Sequence, residues 1–329
     1  LKFVTYRDDQ SERLGAITDD VVVDLHAASV ARSMRDCAWF SSMQALIEAG
    51  PPAVDVARDL MRSAASAQRR PLANTMLLSP LPRPPQMRDF LCFETHMRQA
   101  GDAVATLTAR ASSDPKAALA ELARSGPRPI PAVWYRQPIY YKCNRFAVQG
   151  TDAEIHWPAY STVMDYELEI AAIIGRKGRD IAREDASQHI FGFTIFNDFS
   201  ARDAQAREMS GPLGPAKGKD FDGANILGPC IVTPDEIGDL YNLTMVARVN
   251  GEEWSRGNTG TIHWRFDEII AFLSESETLY PGEVLGSGTV GNGCGLEALR
   301  FLKHGDEVEL EIENIGVIRN RVLAPHTLA

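Results

Sequence analysis

The sequence predicts a mainly β, α+β fold: a large β-sandwich or closed roll, a small β-rich N-terminal domain before it, and a helical insertion near the start of the large part. Three observations carry this. From residue 130 onward, short apolar runs alternate with Gly, Pro and Asp turns, the pattern of many short strands with few helices. Pro80, Pro82, Pro84 and Pro85 crowd into one stretch that cannot be helical, which places a boundary near residue 80 and divides 1–80 from 81–329. Residues 97–130 are rich in Ala, Arg, Leu and Glu, the composition of exposed helices.

Taken in order, residues 2–6 and 21–25 are short runs enriched in β-branched side chains. Residues 13–17 followed by Thr18-Asp19-Asp20 read as strand and turn. Residues 42–47 and 54–67 carry helical spacing. The 97–130 insertion fits either a mobile cover over a site or an ordinary surface hairpin. Residues 166–175 alternate and then turn wholly apolar, as a strand entering a core does. Strands are expected at 190–196, 226–233, 244–249, 284–287 and 308–313, with a helix at 265–274. His263 and Trp264 read as packing residues, and Arg176, Lys177 and Arg179 as a solvated turn.

At 329 residues, with 44% hydrophobic and 24% charged side chains, the chain has material for a sizeable core. Its net charge of −10 argues against a nucleic-acid partner and against a surface built for anionic lipid. An anionic small molecule stays open, because a few inward cations set the local potential of a cleft. The five cysteines have no C-x-x-C spacing, so reduced buried thiols are expected rather than a disulfide framework or structural zinc. No signal-peptide pattern or membrane-length apolar run is visible, which makes a soluble cytoplasmic protein the expectation.

Glu167 and Glu169 leave the same face of a strand whose continuation, residues 170–174, is apolar. Paired carboxylates repel unless a positive charge sits between them. A second apolar strand ends at Asn197-Asp198, where Ser200 and Asp203 suggest a capping box for a helix carrying Arg202 and Gln205 on one face. Three hard oxygen donors without nearby His or Cys suit Mg²⁺, Mn²⁺ or Ca²⁺ rather than zinc. His96, between an apolar stretch and the insertion, is the candidate group titrating near neutral pH. Each feature alone also fits a plainer reading: a solvated strand edge, a turn aspartate, a structural histidine.

Together, the blocks RDF-x5-H, DYELE, NDFSARDAQ, LGPAKGKDFD and LYPGEVLGSGT, in order across residues 88–297, resemble the fumarylacetoacetate hydrolase family, more the hydrolases proper than the short acylpyruvases. The resemblance implies a mixed β-sandwich roll and a homodimer. It implies that Glu167, Glu169 and Asp198 are metal ligands, with Asp89 a fourth, and that His96 is a general base oriented by Glu297. Arg202, Gln205 and Lys219 match groups that stabilise developing negative charge. Thr289 matches a substrate-contacting threonine, and Tyr141 and Lys142 fall near substrate-facing positions. Leu91 and Met209 stand where the hydrolase proper has tyrosines, Gln99 where acylpyruvases have a glutamate, and Gly293-Cys294-Gly295 where a more proline-rich stretch is usual.

The activity this implies is hydrolysis of a carbon–carbon bond in a 1,3-diketone or acylpyruvate-type oxo acid, of the kind met in aromatic catabolism. His96 would activate water for attack on a metal-polarised carbonyl. A hydratase, isomerase, decarboxylase or lyase working through a metal-stabilised enolate shares the same parts. A binding protein that has lost catalysis is the non-enzymatic alternative, although every ligand and base position holds a competent residue.

Overall fold

The computed structural model describes residues 1–126, 128–211 and 213–325. Its centre is an 11-stranded sheet, whose order runs Arg69–Pro71, Val21–Asp24, Ser11–Thr18, Lys2–Asp8, Asn225–Val232, Ile190–Asp198, Leu168–Ile174, Val284–Gly286, Met87–Phe90, Tyr140–Lys142, with Val148–Gln149 pairing Asn225–Val232 from off that path. A 5-stranded sheet of Glu252–Asn258, Thr244–Val249, Glu307–Ile312, Gly316–Leu323 and Glu154–His156 forms a second layer. The mixed β architecture matches the expectation, and most expected strands appear within a residue or two of their limits.

The strand Leu168–Ile174 shows why its sequence is apolar throughout. Ile170, Ala172 and Ile174 enter a core shared with the 5-stranded sheet through Met245, Ala247, Leu310 and Ile318. Ala171 and Ile173, pointing the other way, enter a second core with Met43, Leu46, Ile47, Ala57 and Leu60. Those residues lie on the helices Met43–Ala49 and Pro51–Ser63, so the N-terminal helices cover one face of the strand and a sheet covers the other. The first strand is part of the same sheet, with Lys2 and Phe3 opposite Val232 and Ile231.

Local chemistry sets where elements stop. The strand Val21–Asp24 ends because the Asp24 carboxylate accepts from the Ala27 amide at 2.7 Å and caps the helix Leu25–Ala31. The expected capping box at Ser200 does not form. Ser200 and Ala201 pair with Asp165 and Met164 as a short bridge, and Asp203 instead accepts from the Ser161 hydroxyl at 2.5 Å and the Thr162 amide at 3.1 Å. The insertion is two helices, Glu94–Arg110 and Pro115–Ser125. Its first helix starts before residue 97, so His96 sits in the opening turn of that helix rather than ahead of it.

Candidate metal centre and active site

Five neighbouring strands of the large sheet end at one place. Register brings Tyr141, Asp89, Gly286 and Ala171 side by side across four of them, and Leu168 opposite Asn197 across the next pair. Because side chains alternate, Asp89, Glu167, Glu169 and Asp198 share the face that the N-terminal helices cover further along the strands. One carboxylate oxygen from each of the four lies within 4.8 Å of the others, and all four residues are buried.

Backbone geometry makes room for this crowding. A Cβ on Gly286 would meet Asp89 Oδ1 at 2.5 Å, so only glycine leaves space for that carboxylate. Gly288, at φ +75, adopts a conformation that favours glycine, and its amide donates to both Asp89 Oδ1 at 3.1 Å and Glu169 Oε2 at 3.0 Å. The Thr289 hydroxyl lies 3.5 Å from Glu169 Oε1. The Gly-Ser-Gly-Thr run thus lines and cradles the acidic cluster.

Lys219 Nζ donates to Glu167 Oε2 at 2.5 Å and also to Asp198 Oδ2, which accepts in addition from the Tyr141 hydroxyl at 2.5 Å. Burial pushes the Asp89 carboxyl up to about 6 and Asp198 up to about 7. Burial and then its acidic neighbours hold Glu169 well above the ordinary carboxylate range. For Glu167 burial is outweighed by Lys219 and Arg202, which bring it down to about 2. Burial works against the Lys219 ammonium, but Asp198 and Glu167 keep it charged beyond the usual lysine range. Five buried carboxyl groups (Asp89, Asp165, Glu167, Glu169, Asp198) thus face two buried cations (Lys219, Arg202). Among the described residues, Asp198 Oδ1 is buried without a hydrogen-bond partner. An uncompensated, oxygen-only cluster with an open lone pair fits a hard divalent cation.

Beside this cluster, His96 Nδ1 lies 2.9 Å from Glu297 Oε1, joining residues 201 positions apart. Glu297 Oε2 accepts from the Cys294 amide at 3.1 Å, which fixes the carboxylate that fixes the imidazole. His96, Cys294 and Glu297 also offer three ligand-type atoms within 4.8 Å of one another. Two considerations disfavour metal there: Glu297 is already committed on both oxygens, and burial raises the Cys294 thiol well above its ordinary value, against the thiolate a metal needs. Cys92, Cys143, Cys230 and Cys294 are buried free thiols, as the spacing suggested.

Of the residues singled out from sequence, Asp89, Glu167, Glu169, Asp198, Lys219, Tyr141 and Thr289 converge on the acidic cluster, with His96 and Glu297 adjoining. Two come out differently. Lys142 is exposed at the edge strand and, one residue after Tyr141, faces the opposite way, so it is not brought to the site. Arg202 is held by the protein's own acids: Nε donates to Asp165 at 2.8 Å, Nη1 lies 2.8 Å from Glu167 and donates to Gln205 Oε1 at 3.0 Å, while Nη2 makes no hydrogen bond among the described residues. Among the described residues, the Gln205 side chain is bonded through Oε1 to Arg202, with no partner for its amide N–H groups. The residue that sequence reasoning missed is Asp165, fully buried against Arg202. Its signal was present in D-x-E-x-E, which puts three acids in one phase.

Residues 87–323 match the family model described as fumarylacetoacetate (FAA) hydrolase C-terminal. The chain belongs to the fumarylacetoacetate hydrolase family. Among curated relatives of this family member, a mitochondrial oxaloacetate tautomerase of Homo sapiens is 40% identical over 196 residues, 59% of this chain and 60% of that protein. The chain therefore matches less than two thirds of the length of that relative. The solved fumarylacetoacetate hydrolase of the psychrophile Exiguobacterium antarcticum shares 26% identity at a TM-score of 0.72, covering 98% of this chain and 99% of that one. Maleylpyruvate hydrolase from Sphingobium sp. SYK-6, solved with manganese(II) and pyruvate, has the same fold at 22% identity and a TM-score of 0.71, covering 99% of this chain and 100% of that one. No helix among the described residues is long and apolar enough to cross a membrane.

Proposed function

We propose that this family member moves a proton between carbon and oxygen of a small 2-oxo acid, interconverting its keto and enol forms. The observation that carries the reading is the His96–Glu297 pair, 2.9 Å apart, set against the buried four-carboxylate cluster. With Nδ1–H donated to Glu297, the imidazole presents Nε2 as the atom that takes and returns the proton. A divalent cation (Mg²⁺, Mn²⁺ or Ca²⁺) held by Asp89, Glu167, Glu169 and Asp198 would supply the charge that draws the substrate's oxygens and acidifies the adjoining C–H. Lys219 and Arg202 hold the ligands apart and in place, Gln205 is a neutral donor for substrate oxygens, and Thr289 lines the cluster with its hydroxyl toward Glu169. The helical insertion would act as the cover that keeps bulk water from the imidazole.

Carbon–carbon hydrolysis, the activity expected from the sequence, is the second reading, favoured by the full-length likeness to the Exiguobacterium hydrolase. It uses the same base but asks for more: an attacking water and charged donors to meet the departing fragment. Arg202 is ion-paired with Asp165 and Glu167, yet among the described residues its Nη2 makes no hydrogen bond, so one charged donor stays open for that role. What favours the proton-transfer reading is the 40% likeness to an oxaloacetate tautomerase over 59% of this chain.

The test follows the enol absorbance of oxaloacetate and, in parallel, pyruvate release from a panel of acylpyruvates, each with Mg²⁺ and with chelator. Metal-dependent acceleration of enol decay without pyruvate release is the expected result. Pyruvate release without enol decay would establish hydrolysis instead, and inactivity in both assays would end the reading.

A further inference from the structure

The two halves of the site, base and acidic cluster, come from strands and loops far apart in the chain, yet one side chain touches the supports of both. Asp165 is fully buried. Its Oδ1 accepts from the amides of Gly295 at 2.8 Å and Tyr166 at 2.9 Å. Its Oδ2 accepts from the Leu296 amide at 2.9 Å and from Arg202 Nε at 2.8 Å, with Arg202 Nη2 close by at 2.7 Å as an ion-pair contact. Gly295 and Leu296 immediately precede Glu297, the partner of His96. Arg202 in turn lies 2.8 Å from Glu167, a member of the acidic cluster. A Cβ on Gly295 would meet Arg300 O at 1.9 Å and Asp165 Oδ1 at 2.6 Å, so the loop approaches this carboxylate as closely as a backbone can.

We propose that Asp165 is a positioning residue that sets the base against the acidic cluster, holding the short helix Gly295–Ala298 through the amides of Gly295 and Leu296 and holding Glu167 through the Arg202 guanidinium. This rests on the reading of His96 as the proton-transfer group. Asp165 reaches no reacting atom. It acts by geometry alone, where displacements of about 1 Å cost on the order of 10²-fold in rate. An amide cannot replace the carboxylate: its nitrogen would face donors instead of accepting from them. A helix cap or a buried ion pair serving stability alone would hold one of the two elements. Of the four donors to Asp165, the Gly295 and Leu296 amides belong to one element and Arg202 Nε reaches the other.

The experiment compares wild type, Asp165→Asn, Glu297→Gln and the double variant in the enol-decay assay, with metal affinity measured by titration. A ¹⁵N spectrum of the His96 ring is recorded on metal-loaded protein without substrate. Asp165→Asn is expected to lower kcat at saturating metal by about 10²-fold with KM little changed and, because it reaches Glu167 through Arg202, to weaken metal binding by about 10–100-fold. On the Glu297→Gln background it should cost less than about threefold more, because residues acting through one group are non-additive. The hydrogen-bonded Nδ1–H signature of His96 should be lost in Asp165→Asn. Losses that multiply in the double variant, or an unchanged His96 signature, would overturn the proposal. Should Asp165→Asn fail to fold, Asp165→Glu keeps the charge, shifts the carboxylate by one methylene, and takes the same measurements. If wild type shows no enol–keto activity, the functional reading fails, while the His96 spectrum still decides whether Asp165 positions the base.

Discussion

The acidic half of the site and the basic half are built by different means. Asp89, Glu169 and Asp198 stand on strands of one sheet and Glu167 one residue ahead of a strand, so register places them and two packed cores hold that register. His96 stands in the first turn of a helix whose buried side chains beyond it are Ala103, Ala105 and Ala109, all small, and the following helix buries none. That helix meets the Glu297 loop through a separate small cluster containing Ala103, Cys294 and Leu296. A lattice of strands fixes the acids, and a docked helix delivers the base. The acids should therefore tolerate no change of charge, whereas the base should be adjustable without loss of the fold.

The largest effect is expected at the acids. Glu169→Gln removes a ligand bonded to Gly288 and facing three other carboxylates; metal affinity should fall by more than about 10²-fold, since even outer-shell changes cost 10–100-fold. Isothermal titration with Mn²⁺ reads this directly, and retained affinity would break the contrast. Next, His96→Asn should lower kcat by about 10²–10⁴-fold, the usual worth of a positioned acid–base group, with metal affinity unchanged on the same titration. A comparable drop in affinity would mean that the two halves are one ligand set.

Third comes pH. Asp89 and Asp198 are raised to about 6 and about 7 in the metal-free fold. A carboxyl raised above its unfolded value stabilises the fold relative to higher pH, and that contribution is lost as pH climbs from about 4 through the raised values. The melting temperature of metal-free protein should thus fall between about pH 5 and 8. Saturating Mg²⁺ should raise it most at the upper end, because ligands must shed protons to bind. Calorimetric melts with and without chelator check this, and a chelator effect that does not grow with pH would count against the acidic cluster as the site.

The smallest effect sharpens the basic side. Gln99 and Asn292 exchange hydrogen bonds of 2.6 and 3.1 Å, joining the His96 helix to the loop before Glu297. Asn292 is exposed and Gln99 half-buried, so Gln99→Ala should cost only about 1 kcal/mol or less in stability, yet lower kcat several-fold. Lys142→Ala, at an exposed edge, should leave both unchanged within error.

How much of this was legible in the chain follows the same division. The E-x-E pair and Asp198 could be read locally, because a period of two and a strand terminus need only neighbours in sequence. Asp89 entered through family resemblance alone, since nothing near residue 89 reveals that it lies beside Gly286. The ion pairs of Arg88 with Glu277 and Glu283 explain why the first and last blocks belong together, but such a pairing has no local signature. Lys142 was misplaced by one position, which on a strand reverses the facing direction. Asp165 was overlooked although it keeps the phase of Glu167 and Glu169, because its partners, Gly295, Leu296 and Arg202, are distant in sequence. The hold of Asp165 and Glu167 on Arg202 was hidden for the same reason, and it leaves Nη2 without a hydrogen bond among the described residues.

The central claim is that Asp89, Glu167, Glu169 and Asp198 hold one divalent cation beside the His96–Glu297 pair. Anomalous diffraction from crystals grown with Mn²⁺ tests it most directly. The expected result is a single strong peak bonded to oxygens of at least three of the four acids, with His96 and Glu297 paired alongside. A peak among His96, Cys294 and Glu297, or none in the acidic cluster at saturating Mn²⁺, would contradict it.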